Sequence, residues 1–147
     1  MSAVDIACEL AKKFEGFRSN PYLCPAGVPT IGYGSTYYAD GKKVTMQDAA
    51  ISEPAAFELL KGEMKKYLAQ AEKVSPVLKT QSDNRRAAIA DFVYNLGVTN
   101  YSVSTLRKKI DAGDWDAAKI EIKKWNKGGG KVLAGLVARR EAEAALM

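Results

Sequence analysis

Glu15, Cys24 and Thr30 are the residues around which chemistry could be built. Eight residues separate Glu15 from Cys24, and five separate Cys24 from Thr30. The chain has no histidine, which excludes Ser-His-Asp and Cys-His nucleophile systems. Any catalysis must run on carboxylates, hydroxyls, thiols or amines. The two cysteines, Cys8 and Cys24, do not make a disulfide framework, and without histidine no metal-chelating cluster is expected. Glu15 ends an apolar-periodic segment. Turn signals follow at Asn20-Pro21, Cys24-Pro25, Ala26-Gly27 and Val28-Pro29, so the stretch after Arg18 cannot be a helix. A lone acid leading into a turn-rich loop is where a rigid scaffold displays reactive groups. Taken singly, each residue has a plainer account: Glu15 as an exposed helix-terminal acid, Thr30 as a β-branched strand residue.

The elements that must position these groups read as follows. Val4 to Phe14 has helical periodicity, with Val4, Ala7, Cys8, Leu10, Ala11 and Phe14 on one face and Ser2 as N-cap. Cys8 on that face is expected to be a small core residue. Thr30-Ile31-Gly32-Tyr33-Gly34 reads as a short strand ending in glycines. Asp40-Gly41 signals a hairpin between Tyr37-Tyr38-Ala39 and Lys42-Lys43-Val44. Thr45 and Asp48 resemble a capping box that opens a helix, and Ser52-Glu53-Pro54 interrupts it or caps a second one. Ala55 to Ala71 is a long amphipathic helix, ended by Val74-Ser75-Pro76. Helices are then predicted over Gln81 to Leu96 with Gly97 as C-cap, Val103 to Ala112, Trp115 to Trp125 after Asp114, and Val132 to Leu146. Lys127-Gly128-Gly129-Gly130-Lys131 reads as a flexible connector.

Length and charge bound the rest. At 147 residues the chain suits one domain, 1–147, with a real core. A net charge of +5 fits either a solvated surface or attraction to a polyanion such as nucleic acid, anionic lipid or cell wall. The basic residues are dispersed and no nucleic-acid-binding fingerprint occurs, so no nucleic-acid partner is expected. No window approaches the roughly 20 apolar residues of a membrane span, and no cleavable signal peptide opens the sequence, so stable membrane insertion is not expected.

The Glu, eight residues, Cys, five residues, Thr spacing resembles the phage lysozyme, or endolysin, family, glycoside hydrolase family 24. That pattern carries Asp, less often Cys, at the middle position. Ile31-Gly32-Tyr33-Gly34, Phe92 to Gly97, Ser104-Thr105-Leu106, Ala112-Gly113-Asp114, Trp125 and Gly135 to Arg140 extend the likeness over nearly the whole chain. The resemblance implies an α+β, mainly α-helical fold, with a small N-terminal antiparallel sheet lobe joined by a long helix to a helical C-terminal lobe. It implies a muramidase that hydrolyses the β-1,4 bond between N-acetylmuramic acid and N-acetylglucosamine in peptidoglycan. Glu15 would be the general acid, Cys24 would take the usual Asp position, and Thr30 would help place water. A glutamate donates at neutral pH only where burial or a neighbour raises its pKa. Cys24 and Ser35 depart from the family: Asp is commoner at the first position, and many relatives carry histidine at the second.

The resemblance also implies a sugar-binding cleft lined by Phe92, Asn95 and Trp125, with core packing the plainer account of Phe92. It implies a cation that orients Glu15, either Lys131 or Arg139. No cofactor or metal is expected. The expected partners are peptidoglycan and a separate holin, with a monomer made in the host cytoplasm and acting on the wall after membrane permeabilisation. Two alternatives stay open on the sequence: a lytic transglycosylase cutting the same bond, and a non-enzymatic cationic protein that binds wall or membrane through Lys123 to Arg140.

Overall fold

The computed structural model describes residues 1–147. Helix α1 spans Ala3–Glu15. Ser2 and Asp5 close a reciprocal capping box at its start, and Ala3, Ala7, Cys8, Leu10 and Ala11 are buried. Gly16, at φ 70, ends it and turns the chain into a strand.

Strands β1 (Arg18–Leu23) and β2 (Pro29–Gly32) pair antiparallel, with Tyr22 opposite Thr30 and Leu23 opposite Pro29. The register slips between Arg18 and Tyr22, where Pro21 sits. A proline inside a strand marks a ladder defect, and it conceals β1 in the sequence, where the segment reads as turns. Beyond β2 the chain reverses between Ile31 and Ser35, whose backbones exchange two hydrogen bonds of 2.9 Å. Tyr37 and Lys43 form a single bridge around the Asp40-Gly41 turn, so that hairpin is present in minimal form.

The helix expected to open at Thr45 does not form. Thr45 donates from its backbone and hydroxyl to Asp48 (2.8 and 2.6 Å), but Tyr38 Oη also donates to that carboxylate (2.7 Å). The Ile51 N–H then goes to the Ser19 carbonyl at 3.0 Å, tying the segment to β1 instead of to a helical turn. The long helix α2 begins at Glu53 and runs to Val74, with Ser52 as N-cap and Pro54 in its first turn.

A 3-10 turn, Pro76–Thr80, leads to α3 (Asp83–Leu96). Ala87 to Val93 are all buried, so α3 is covered on every side. Ala87 and Ala90 join the cluster of α1 and α2. Ala88, Ile89, Phe92 and Val93 join the cluster built with α4 (Val98–Ser102), α5 (Thr105–Asp111), α6 (Trp115–Lys123) and α7 (Ala134–Leu146). One helix thus serves both lobes, which locks their relative position.

Lys127 to Lys131 is not an irregular connector. Lys127–Gly128 (β3) and Lys131–Val132 (β4) pair as a miniature hairpin. Gly129 and Gly130 both take positive φ, 59 and 79, as a tight two-residue hairpin turn requires. The last helix consequently begins at Ala134, not Val132.

Candidate active site

Glu15 is the last residue of α1 and is half-buried, its side chain 23% exposed. A carboxylate is the wrong charge for a helix C-terminus, and a cation from α7 offsets it. Arg139 Nη1 donates to Glu15 Oε1 at 3.3 Å. The same guanidinium donates twice to Asp91 on α3, Nε to Oδ2 at 3.0 Å and Nη2 to Oδ1 at 2.8 Å. Asp91 is wholly buried and Arg139 almost so. This fork sets the guanidinium plane and aims its remaining arm at Glu15.

The other oxygen of Glu15 faces Gly34. A Cβ on Gly34, which has φ 90, would lie 3.2 Å from Glu15 Oε2 and 3.5 Å from Tyr94 Oη. Glycine is required there both by the backbone and by that contact. Tyr94 donates to the Tyr33 carbonyl at 2.8 Å, pinning the 31–35 reversal to α3. Burial pushes the Tyr94 hydroxyl well above its usual range, so it stays neutral.

Glu15 opens onto a cleft of about 690 Å³. One wall is α2, where Leu59, Glu63, Lys66 and Gln70 recur at helical spacing on one face. The others are the 36–41 loop with Tyr37 and Tyr38, and Tyr94 and Asn95 of α3. A groove of this size suits an oligomeric ligand more than a small ion.

Cys24 and Thr30 lie on the sheet, outside the lining of this cleft. The β1–β2 register continues past the strands, because the Cys24 N–H donates to the Val28 carbonyl at 3.1 Å. Period-two alternation then puts Tyr22, Cys24, Val28 and Thr30 on one face. Cys24 is half-buried and free. Its thiol is held below the usual range, chiefly by the Val28 backbone amide, with the Ala26 backbone adding to it. The turn backbone does here what a cation or helix terminus does elsewhere. Thr30 is 3% exposed, and its hydroxyl donates to the Val28 carbonyl at 2.8 Å. Tyr22 stands between the two parts: burial raises its hydroxyl, and the charges of both Glu15 and Cys24 add to the shift.

The remaining expected residues divide. Arg139, not Lys131, contacts Glu15; Lys131 is exposed on the β3–β4 hairpin, because the paired glycine turn fixes it there. Asn95 lines the cleft and accepts from Arg140 Nη2 at 2.8 Å. Phe92 is a correction: its ring is wholly buried, against Trp125 (5.7 Å, edge-on) and Tyr101, and cannot line a cleft. Trp125 is half-buried on that ring and also lies off the lining of the cleft. Asp91, Tyr94, Gly34 and Glu63 escaped the sequence reading. An acid inside an otherwise apolar helical run, as Asp91 is between Ala90 and Phe92, was the available signal for a buried ion pair.

No ligating cluster of His, Cys, Asp or Glu occurs. No helix is long and apolar enough to cross a membrane.

The family model described as Phage lysozyme matches residues 12–143. An endolysin of Acyrthosiphon pisum secondary endosymbiont phage 1 is 37% identical over 146 residues, covering 93% of this chain and 91% of that protein. A SAR-endolysin of Bacteriophage PS119 is 36% identical, covering 88% of this chain and 73% of its own length. Among solved structures, an endolysin from Escherichia coli O157:H7 phage FAHEc1 superposes with a TM-score of 0.86 at 31% identity, over 99% of this chain and 92% of that one.

Proposed function

Because the chain belongs to the phage lysozyme family, we propose that Glu15 is its general acid and that Cys24 and Thr30 serve the attacking water. The protein is a phage muramidase, a glycoside hydrolase of lysozyme type that acts on peptidoglycan and lyses the host wall.

The observation that carries the assignment of the acid is the Arg139 fork. Glu15 Oε1 accepts from Arg139, so the proton belongs on Oε2, the oxygen that faces Gly34 and the cleft. In the forward step Oε2–H protonates the glycosidic oxygen. The carbon–oxygen bond breaks, the leaving sugar keeps the proton, and positive charge develops at the anomeric carbon. A water then bonds to that carbon. The Thr30 hydroxyl already gives its one proton to Val28, so it offers only lone pairs, the acceptor that orients a water O–H. Cys24 lies on the same face, its thiol held below the usual range by the turn backbone, and in its ionised form it takes the water's proton. Arg139 holds the resulting Glu15 carboxylate until it is reprotonated.

Glu15→Gln preserves shape and removes the proton. It is expected to abolish nearly all turnover on purified murein while leaving folding intact. Residual activity above about a tenth of wild type would exclude Glu15 as the acid. Mass spectrometry of wild-type digests should show reducing ends; 1,6-anhydro ends would mean that the muramic 6-hydroxyl replaces water and that the enzyme is a transglycosylase. Access to the wall through a separate holin belongs to the same proposal. Cells making this sequence should then lyse only once the membrane is permeabilised, and prompt lysis of intact cells would contradict the holin requirement.

A further inference from the structure

Arg140, the residue after the arginine that holds Glu15, has no part in the mechanism above. It lies on α7 with no exposed surface, and so does Glu143, one turn along the same helix. Arg140 Nε lies 2.6 Å from Glu143 Oε1, and Nη2 donates to Glu143 Oε2 at 2.9 Å. The guanidinium carbon sits 5.1 Å from the centre of the Phe92 ring, and Nη1 donates to the Trp125 carbonyl at 3.4 Å. One bond leaves this buried cluster for the cleft: Nη2 donates to Asn95 Oδ1 at 2.8 Å.

We propose that Arg140 and Glu143 are positioning residues that fix Asn95 as a hydrogen-bond donor in the cleft, where its Nδ2 selects the acetamido carbonyl of a murein sugar. The proposal deepens the function given above and rests on the cleft holding the glycan.

The orientation of the amide follows from its partner. The oxygen and nitrogen of an asparagine have nearly the same shape, so hydrogen bonding decides which way it points. A guanidinium only donates, so the atom 2.8 Å from Nη2 is the oxygen. Nδ2 then occupies the other branch. It donates to no protein group and is reached by solvent, in a half-buried residue of the cleft wall.

A donor held in this way discriminates against groups that cannot accept. Sugar hydroxyls both donate and accept, and pair with either end of an amide. An acetamido carbonyl only accepts. The amine left when the acetyl group is removed is, once protonated, a pure donor. The cost of the cluster points the same way. A buried ion pair is often no more stabilising than apolar residues of similar volume. Stability alone therefore does not account for Arg140 and Glu143, whereas holding Asn95 does.

The readout is a preference: kcat/KM on murein divided by kcat/KM on the same murein partly de-N-acetylated. Asn95→Asp keeps the acceptor for Arg140 and turns the donor into an acceptor at constant shape. It should lower the preference by about tenfold or more, chiefly through KM. Asn95→Ala removes the donor without adding charge and should lower the preference too. Arg140→Met combined with Glu143→Leu leaves no orphaned charge, and should lower it with kcat changed less than KM. An unchanged preference in Asn95→Asp, or in the folded double variant, would overturn the proposal. Nitrogen-15 NMR of Glu15→Gln, which binds without cutting, decides the matter even where the double variant does not fold. A murein tetrasaccharide should shift the Asn95 side-chain amide, and its de-N-acetylated form should not. An unmoved Asn95 side chain beside shifted backbone amides of the 36–41 loop counts against the proposal. If the tetrasaccharide moves no cleft amide at all, the cleft does not hold the glycan and the underlying reading has failed, so the two failures are distinguishable.

Discussion

Arg139→Met tests whether the buried fork is what holds the site. Methionine keeps much of the length and apolar bulk of arginine but has no charge and no donors. The substitution removes two hydrogen bonds to Asp91, at 2.8 and 3.0 Å, and one to Glu15 at 3.3 Å. Asp91 has no exposed surface, so its carboxylate is left buried without its cation. Breaking a buried pair in this way costs about 3–5 kcal/mol, because the orphaned charge keeps its desolvation penalty. For a domain of this size each kcal/mol moves Tm by roughly 2–4 °C, so the loss should be roughly 6–20 °C. Adding Asp91→Asn removes the orphaned charge. The double variant should recover about 2 kcal/mol of the loss, a coupling that independent sites do not show. Urea unfolding of wild type, both single variants and the double variant measures this directly, and murein turnover of the same proteins measures the second consequence. Arg139→Met should lose most activity even where it is fully folded, since nothing then holds Glu15 Oε1. The reasoning is refuted if Arg139→Met costs less than about 1 kcal/mol, the range of an exposed ion pair, or if the two substitutions are additive.

Cys24→Ser should reduce turnover less than Glu15→Gln does, and Cys24→Asp should stay active or improve, because a carboxylate supplies the charge that the turn only partly draws from the thiol. Parallel rates on one murein preparation under reducing conditions decide it, and a Cys24→Ser protein as inert as Glu15→Gln would make the thiol essential. Gly34→Ala puts a Cβ 3.2 Å from Glu15 Oε2 at φ 90, where an L-residue is strained by about 1–2 kcal/mol. It should lower kcat more than it lowers stability, and a thermal melt alongside single-turnover kinetics separates the two.

Local chemistry was legible in the sequence because it depends on neighbours in the chain. Ser2, Ser52 and Asp114 each accept a backbone N–H at the helix start where a cap belongs. Gly97 ends α3, and the apolar face of α1 is buried with Cys8 in it. The Glu15, Cys24 and Thr30 spacing pointed to the family together with later segments such as Phe92 to Gly97 and Gly135 to Arg140. Where the sequence misled, a distant partner had intervened. Thr45 and Asp48 make the bonds of a capping box, but Tyr38 and Ser19 claim the carboxylate and the next free amide, so a turn forms in place of a helix. Lys131 was the nearest match in the sequence for the cation beside Glu15, with Arg139 as the other candidate. Which of them arrives there depends on how α7 packs against α1 and α3, and on a glycine turn that closes as a hairpin. Phe92 and Asn95 are three residues apart on one helix, yet one is core and the other lines the cleft. Helical spacing brings both to nearby faces, and only the packing of Trp125 and Tyr101 around the ring decides which face meets solvent. Asp91 and Glu63 carry the same lesson in charge: their identity is in the sequence, but burial and the nearness of Arg139 or Glu15 exist only once four separate helices have converged.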